Sequence, residues 1–542
     1  MTSGGVLIAA ALLGLLALLV ACLSAPMRAR MTELLPLAPI PALLAAILSK
    51  CDASLALPPA LLGATFVIDK PGAMLLGTAA LLWIAAGIYA ATFMRADTDR
   101  GAFAVWWLLA LVGNLGVFMV ADLASFYLFF AVGGLSAYGL IAHDGTSTSR
   151  RAGIMYIAFA LLGEALLLMA LVLLSATAPE RTILIRDAVA VLSQSPSRDI
   201  ILALVIAGLG LKIALVPLHV WMPLAYTAAP IPAAAVLSGA AVKAGVIGFL
   251  RFLPFDAASP EWGSVLAGFG IISAFYGVAV GITQSNPKTV LAYSSISQMG
   301  LIAAVLGMGL ASGDGTTASA VSFYAAHHVL VKGGLFLAVG IGLSSGSRPT
   351  WAVLVPATVL ALSLAGLPFT GGWLAKLAVK PTLGAGWIGT FAALAAAGST
   401  LLMLHFLRCV TALPRTAQPV PAPAGLLLPW LAVALASVVV PWALYPTAVQ
   451  DGYANALSLA GLWDGVWPVL LGGALAWLLR ARRVLMRELP VGDIVVAYEA
   501  GARAMMTRGA ILSNADQVLR GWRVASAGLL AVVAVLAATL VY

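Results

Sequence analysis

GLKIALVPLHVWMP, residues 210–223, sets a lysine and then a proline inside an otherwise apolar run. Pro217 has no amide proton for the carbonyl of Ile213, so a helix through Lys212 must open about one turn beyond it. Carbonyls freed in this way are tolerated in a membrane only where protein or water satisfies them. His219 follows Lys212 at a spacing that puts both on roughly one face if the helix continues. A kinked helix with a snorkelling lysine is the plain alternative. Lys212 lies too far from either end of its apolar run for that reading to be preferred.

Three further lysines repeat the anomaly: Lys243 in APIPAAAVLSGAAVKAG (229–245), Lys332 in AHHVLVKGG (326–334) and Lys376 in GLPFTGGWLAK (366–376). A lysine at mid-bilayer costs ~2.5–3.5 kcal/mol, so four cost on the order of 10–14 kcal/mol unless partners compensate. Folding requires none of them, and together they read as a route for protons or ions. His328 and Lys332 are four apart and share a helix face. His327 turns to another face and reads as a packed, hydrogen-bonded histidine. Arg251 and Lys380, near helix ends, read as snorkelling anchors. Pro368 breaks its helix ahead of Lys376, as Pro217 does after Lys212. Paired broken helices with a charge nearby point to a midplane site between two inverted halves. Glu164 is the one carboxylate deep in any apolar segment.

With 62% hydrophobic and 9% charged residues and a mean hydropathy of +1.06, the chain is an all-α polytopic membrane protein. A β-barrel would alternate apolar and polar residues in short segments, and this chain does not. The apolar runs predict sixteen helices, among them 4–23, 32–49, 199–221, 229–252, 352–378 and 524–541. They divide into amino-terminal helices (1–103), two sets of five (104–252 and 253–410) and a carboxy-terminal part (411–542) containing a long polar connection, 482–523. Residues 175–198 have the length for a short amphipathic helix. Of the 29 Lys and Arg, eighteen fall in segments on one side and seven on the other. By the positive-inside rule this puts the amino terminus outside.

Several classes are excluded or disfavoured. The net charge of +9 does not point to nucleic acid in so apolar a chain. Segment 4–23 lacks a basic flank, which argues against a cleaved signal peptide. Leu19-Val20-Ala21-Cys22 looks like a lipoprotein box but is expected by chance in an Ala/Leu-rich helix. Cys22, Cys51 and Cys409 form no CxxC pair, and no His/Cys/carboxylate cluster has metal-ligand spacing. No nucleotide, flavin or iron–sulfur motif is visible, so no cofactor is expected here, and any redox chemistry belongs to partners.

The four lysine stretches, with NPKTVLAYSSISQMG (286–300), resemble the antiporter-like subunits of respiratory complex I, Mrp-type Na⁺/H⁺ antiporters and membrane-bound hydrogenases. The resemblance covers about residues 60–410. It implies a fourteen-helix core with two inverted five-helix repeats, broken in the seventh and twelfth helices. It also implies that Lys212 is the lysine of the first broken helix, Lys243 the connecting lysine, His328 and Lys332 the central relay, and Lys376 the exit lysine. Relatives usually carry a glutamate in the fifth helix where this chain has Ala131. Glu164, one helix later, is expected to take over as the partner of Lys212. Tyr324 stands where some relatives have a further histidine.

These expectations describe a proton-translocating membrane subunit within a multi-subunit complex of NADH-quinone oxidoreductase, Mrp or group 4 hydrogenase type. Its partners would be other membrane subunits, with or without a peripheral redox or hydrogenase module, in a bacterial-type plasma membrane. The exchanged ion stays open between protons alone and Na⁺ or K⁺. The competing readings are an energy-coupling subunit for inorganic-carbon or other ion transport, and a non-conducting structural homologue.

Overall fold

A computed structural model describes residues 3–49, 53–58, 63–177, 183–345, 351–413, 421–449, 452–482, 487–492 and 494–495. The expected helix 524–541 and most of 482–523 lie outside these residues. Residues Met1–Val491 form one compact unit; of the second, Gly492–Tyr542, only Gly492, Ile494 and Val495 are described.

The helices in chain order are α1 (Ser3–Ala21), α2 (Ala25–Leu34), α3 (Ile40–Leu48), α4 (Lys70–Phe93), α5 (Arg100–Met119), α6 (Leu123–Ile141) and α7 (Ser147–Thr177). There follow α8 (Ile185–Ala190), α9 (Arg198–Lys212), α10 (Trp221–Ala228), α11 (Ile231–Val236), α12 (Lys243–Phe252), α13 (Pro260–Gly281) and α14 (Pro287–Ser312). The last are α15 (Thr317–Ser345), α16 (Trp351–Ala365), α17 (Gly371–Leu383), α18 (Trp387–Thr411), α19 (Ala424–Ala448) and α20 (Leu459–Ala481). Among the described residues, twelve helical segments are long and apolar enough to cross a membrane. One of these runs continuously through α11 and α12. The protein is an integral, mostly helical membrane protein.

Four expected helices are not single α-helices. Segment 32–49 is divided between α2 and α3, where Pro36 and Pro39 interrupt it. Segment 199–221 stops being helical at Lys212 rather than one turn later. Segment 229–252 carries a π turn, Leu237–Ala241, just before Lys243. Segment 352–378 breaks between Ala365 and Gly371, around Pro368, as expected. A two-stranded antiparallel hairpin, β1 (Ala53–Ala56) and β2 (Thr65–Ile68), was not expected at all. Its strands of four residues are too short to show alternation. Within 175–198 the short helix α8 does form.

Helices α14 and α15 occupy the middle: 100% and 94% of their apolar windows are buried. α13 reaches α14 through glycines seven residues apart. A Cβ on Gly263, Gly270 or Gly277 would run into the backbone of Ala311, Ala304 or Tyr293. Small residues let membrane helices approach to backbone contact.

Connections on the two ends of the bundle are separately tied together. On the amino-terminal end, Ala121 N donates to Thr65 O, Leu123 N to Ile183 O and Ser259 N to Leu310 O. Asp122 accepts from Thr65 N and from Ser125 N, both at 2.8 Å, and so caps α6. Arg251 does not snorkel freely there; it pairs with Asp69, the cap of α4. On the opposite end His143 meets Asp97 at 3.1 Å, and Lys288 Nζ donates to Ala229 O at 2.6 Å.

Candidate proton pathway

The first charge pair forms where α7 and α9 touch at two glycines. A Cβ on Gly208 would lie 3.0 Å from the carbonyl of Gly163, so the helices meet at backbone distance. This contact brings Glu164 of α7 beside Lys212, the last residue of α9. Both reach the same spot on α6: a Cβ on Gly134 would overlap Oε1 of Glu164 and lie 3.4 Å from Nζ of Lys212. The two charges therefore sit within the ~4–6 Å over which opposite charges couple. They make no direct ion pair among the described residues, and Oε1 of Glu164 has no hydrogen-bond partner there. The ammonium of Lys212 lies 5.0 Å from the centroid of the Phe130 ring. Ala131, half-buried on the same helix, contributes no charge.

The backbone after Lys212 is irregular but satisfied. Leu215 N closes onto Gly210 O at 2.9 Å, and the indole of Trp221 donates to Leu211 O at 3.0 Å. Val216 N donates to Ser273 Oγ at 3.0 Å, and the peptide before Pro217 is cis. His219 therefore does not share a helix face with Lys212. It is fully buried, with its ring edge-on to Tyr276 of α13 at 4.8 Å. The expectation failed because the helix does not continue.

The central cluster is built around the π turn. In such a turn the carbonyls lose their normal partners, and three side chains take them up. Tyr226 OH donates to Leu237 O (3.2 Å), Asn114 Nδ2 to Ala240 O (3.2 Å) and Lys243 Nζ to Ser238 O (3.1 Å). Lys243 Nζ also lies 2.6 Å from Nδ1 of His328 on α15. Two hydroxyls bridge the turn to the carbonyl that Lys332 also uses. Ser295 Oγ donates to Leu291 O at 3.1 Å, so its contact with Ser238 Oγ, also 3.1 Å, takes its proton from Ser238. Lys332 Nζ donates to the same Leu291 carbonyl at 2.7 Å. Lys243, His328 and Lys332 are completely buried. Ser238 and Ser295 lie in the sequence motifs without an assigned role, because only packing brings the π turn, α14 and α15 together.

The second break mirrors the first. Gly366 and Phe369 take positive φ, 99° and 64°, and Gly372 N donates to Ser363 Oγ at 3.3 Å. Lys376 Nζ turns back to donate to Ala365 O, the last carbonyl of α16. Lys212 and Lys376 thus both place their amine at the carboxyl end of a half-helix, where the peptide dipoles favour its protonated form. A cavity of about 120 Å³ opens beside Lys376, lined also by Lys380, Trp373, Ala393, Trp467 and Asp464. Lys380 is paired with Asp464 of α20 at its rim rather than being a lone anchor. At ~10–15 Å³ per water centre, such a space accommodates several waters.

Tyr324 joins a separate polar string: its hydroxyl donates to Gln298 Oε1 at 2.7 Å, and Gln298 Nε2 donates to Ser399 Oγ at 2.9 Å. His327 departs from expectation. It is 3% exposed, yet neither ring nitrogen has a hydrogen-bond partner among the described residues.

The family described as NADH:quinone oxidoreductase/Mrp antiporter, TM, matches residues 120–404, a span that contains Glu164 and the four buried lysines. NADH-quinone oxidoreductase subunit N of Desulforudis audaxviator is 31% identical over 418 residues, covering 70% of this chain and 81% of that protein. Hydrogenase-4 component B of Escherichia coli is 30% identical over 294 residues, 52% of this chain but only 43% of that longer protein. In fold, a chain of the Mrp complex from a Dietzia species superposes with a TM-score of 0.78 at 24% identity, covering 98% of this chain and 62% of that one. With the two broken helices and the buried lysines in place, the chain belongs to the antiporter-like membrane subunit family shared by NADH:quinone oxidoreductases and Mrp antiporters.

Proposed function

We propose that this chain conducts protons as a membrane subunit of a multi-subunit ion-pumping complex. The observation that carries the reading is the contact of Lys243 Nζ with His328 Nδ1 at 2.6 Å in a completely buried site. Two titratable groups at that distance cannot both be protonated cheaply, so a proton on one displaces the proton of the other. Glu164 and Lys212 form the intake, Lys243, His328 and Lys332 the centre, and Lys376 with its cavity the outlet. Charge changes at one station alter the next: protonating Glu164 removes the anion facing Lys212 and frees that ammonium to give up its proton.

The lysine and arginine imbalance supports an orientation with the amino-terminal end outside, which puts the outlet rim at Lys380 and Asp464 on the outer side. The two sets of five helices, 104–252 and 253–410, are the natural halves of such a path, each with one break. The relatives suggest membrane partners of the NADH-quinone oxidoreductase, Mrp or hydrogenase kind.

The test is proton uptake by inverted vesicles carrying the assembled complex. Glu164→Gln is expected to lower uptake roughly a hundredfold, the scale of losing one positioned acid–base group. Uptake at the wild-type rate with Glu164→Gln and with Lys243→Gln overturns the reading.

A further inference from the structure

We propose that His327 is a proton-carrying station between the central cluster and Lys376, a role that rests on the conduction path argued above. Consecutive residues on an α-helix point about 100° apart. His328 uses its direction to meet Lys243 on α12. His327 uses the other to face the first turn of α17, beyond the second break. Its Nδ1 lies 2.8 Å from where a Cβ on Gly371 would stand, and its Nε2 lies 2.9 Å from the equivalent point on Gly372. Any larger residue at those positions would collide with the ring or with Pro441 and Ser363. Two adjacent glycines therefore let the ring pack directly against the first turn of α17.

The ring is in an unusual state for a purely structural histidine. A buried polar group without a partner costs about 1–3 kcal/mol, and native proteins keep few of them. His327 has two such atoms, and Nε2 of His328 next to it is a third. Lys376 lies one turn beyond Gly372 on the same face of α17. His327 is close enough to couple electrostatically with both Lys376 and Lys243. The charged groups near it from other helices are thus Lys243 on α12 and Lys376 on α17, with His328 its neighbour in the chain. No carboxylate among the described residues couples with it.

Proton transfer balances without any other reagent. Lys243 passes a proton to Nδ1 of His328, and the Nε2 proton of that ring then moves through an intervening water to the free nitrogen of the neutral His327 ring. The other ring nitrogen then gives its proton to a neutral Lys376 amine. His327 ends as the opposite neutral tautomer, and a ring flip or proton exchange resets it.

The assembled complex in inverted vesicles is the test system, with Lys376→Gln as the reference. His327→Asn and His327→Gln keep a polar side chain but cannot carry a proton through. Both are expected to lower proton uptake at least tenfold while the complex still assembles on native gels. If Lys376→Gln abolishes uptake and the two His327 variants pump normally, only this inference is overturned. If Lys376→Gln also pumps normally, the conduction path itself fails. A second measurement does not depend on assembly of variants. The chain has five histidines, so ¹⁵N-histidine labelling confined to this chain in the assembled wild-type complex, with His327→Gln to assign the signal, reads its ring nitrogens. The inference expects the His327 ring to sample both tautomers, and a single fixed tautomer during turnover overturns it.

Discussion

The carboxylate of Glu164 occupies the space that a side chain on Gly134 would need. Gly134 thus shapes the Glu164–Lys212 contact although it bears no chemistry. Gly134→Ala is expected to push the carboxyl group off Lys212 and to lower proton uptake several-fold, approaching the effect of Glu164→Gln. Gly133→Ala is the control, since its Cβ would come no closer than 3.4 Å to Gly113. Equal effects of the two alanines would mean that helix packing, not the carboxylate position, is being measured.

Ser295 supplies the hydroxyl step between Ser238 and the carbonyl that Lys332 uses. Ser295→Ala removes two hydrogen bonds, a loss of about 1–3 kcal/mol that leaves the fold intact. Proton uptake is expected to fall several-fold, and Ser295→Thr, which keeps the hydroxyl, to restore most of it. Vesicle assays on the two variants side by side check this.

The cavity at Lys376 gives a prediction of opposite sign for stability and transport. Ala393→Phe would fill part of the 120 Å³ space with apolar atoms. The thermal midpoint of the purified complex is expected to hold or rise, because buried apolar area adds stability. Proton uptake is expected to fall, because the space through which water would reach Lys376 is filled. A variant that pumps normally with the space filled would remove the cavity from the path.

Outside the membrane, Asp314 anchors the turn between α14 and α15. Partial burial pushes its carboxyl up, but hydrogen bonds from the Thr316 hydroxyl and amide, Thr382 and Thr317 outweigh this and hold it below the usual value of 3.8. A depressed folded value means its stabilising effect is full above the unfolded pKa and is lost as pH falls through the folded one. Hydrogen exchange in the turn is therefore expected to be insensitive to Asp314 protonation above about pH 4 and to rise below it. Asp314→Asn should show the faster exchange already at neutral pH and lose the acid dependence.

Much of this site was legible because lysine in an apolar run is costly, so Lys212, Lys243, Lys332 and Lys376 announce themselves. Pro368 marked the second break for the same local reason. What stayed hidden depends on distant packing. The π turn is held by Tyr226 of α10 and by Asn114, 126 residues from its partner Ala240. Glu164 could be matched to Lys212 only by elimination, whereas Gly163 and Gly208 are what bring them together. His327 was assigned a hydrogen-bonded core role because nothing in AHHVLVKGG reveals that two glycines of α17 face it. His219 was placed with Lys212 by helical spacing, and that spacing lapses where the helix ends.

The hairpin β1–β2 joins the amino-terminal end of the bundle into one hydrogen-bonded plate. Thr65 takes the amide of Ala121, Asp122 takes the amide of Thr65, and Ala121 and Leu123 bind the backbone of Ile185 and Ile183. Three connections separated widely in the chain therefore cannot shift independently. Any rocking of α6 during turnover must pivot at this plate and be largest at the far end, near Ile141 and His143. The hairpin that no periodicity foretold would then serve as the fulcrum of the first half.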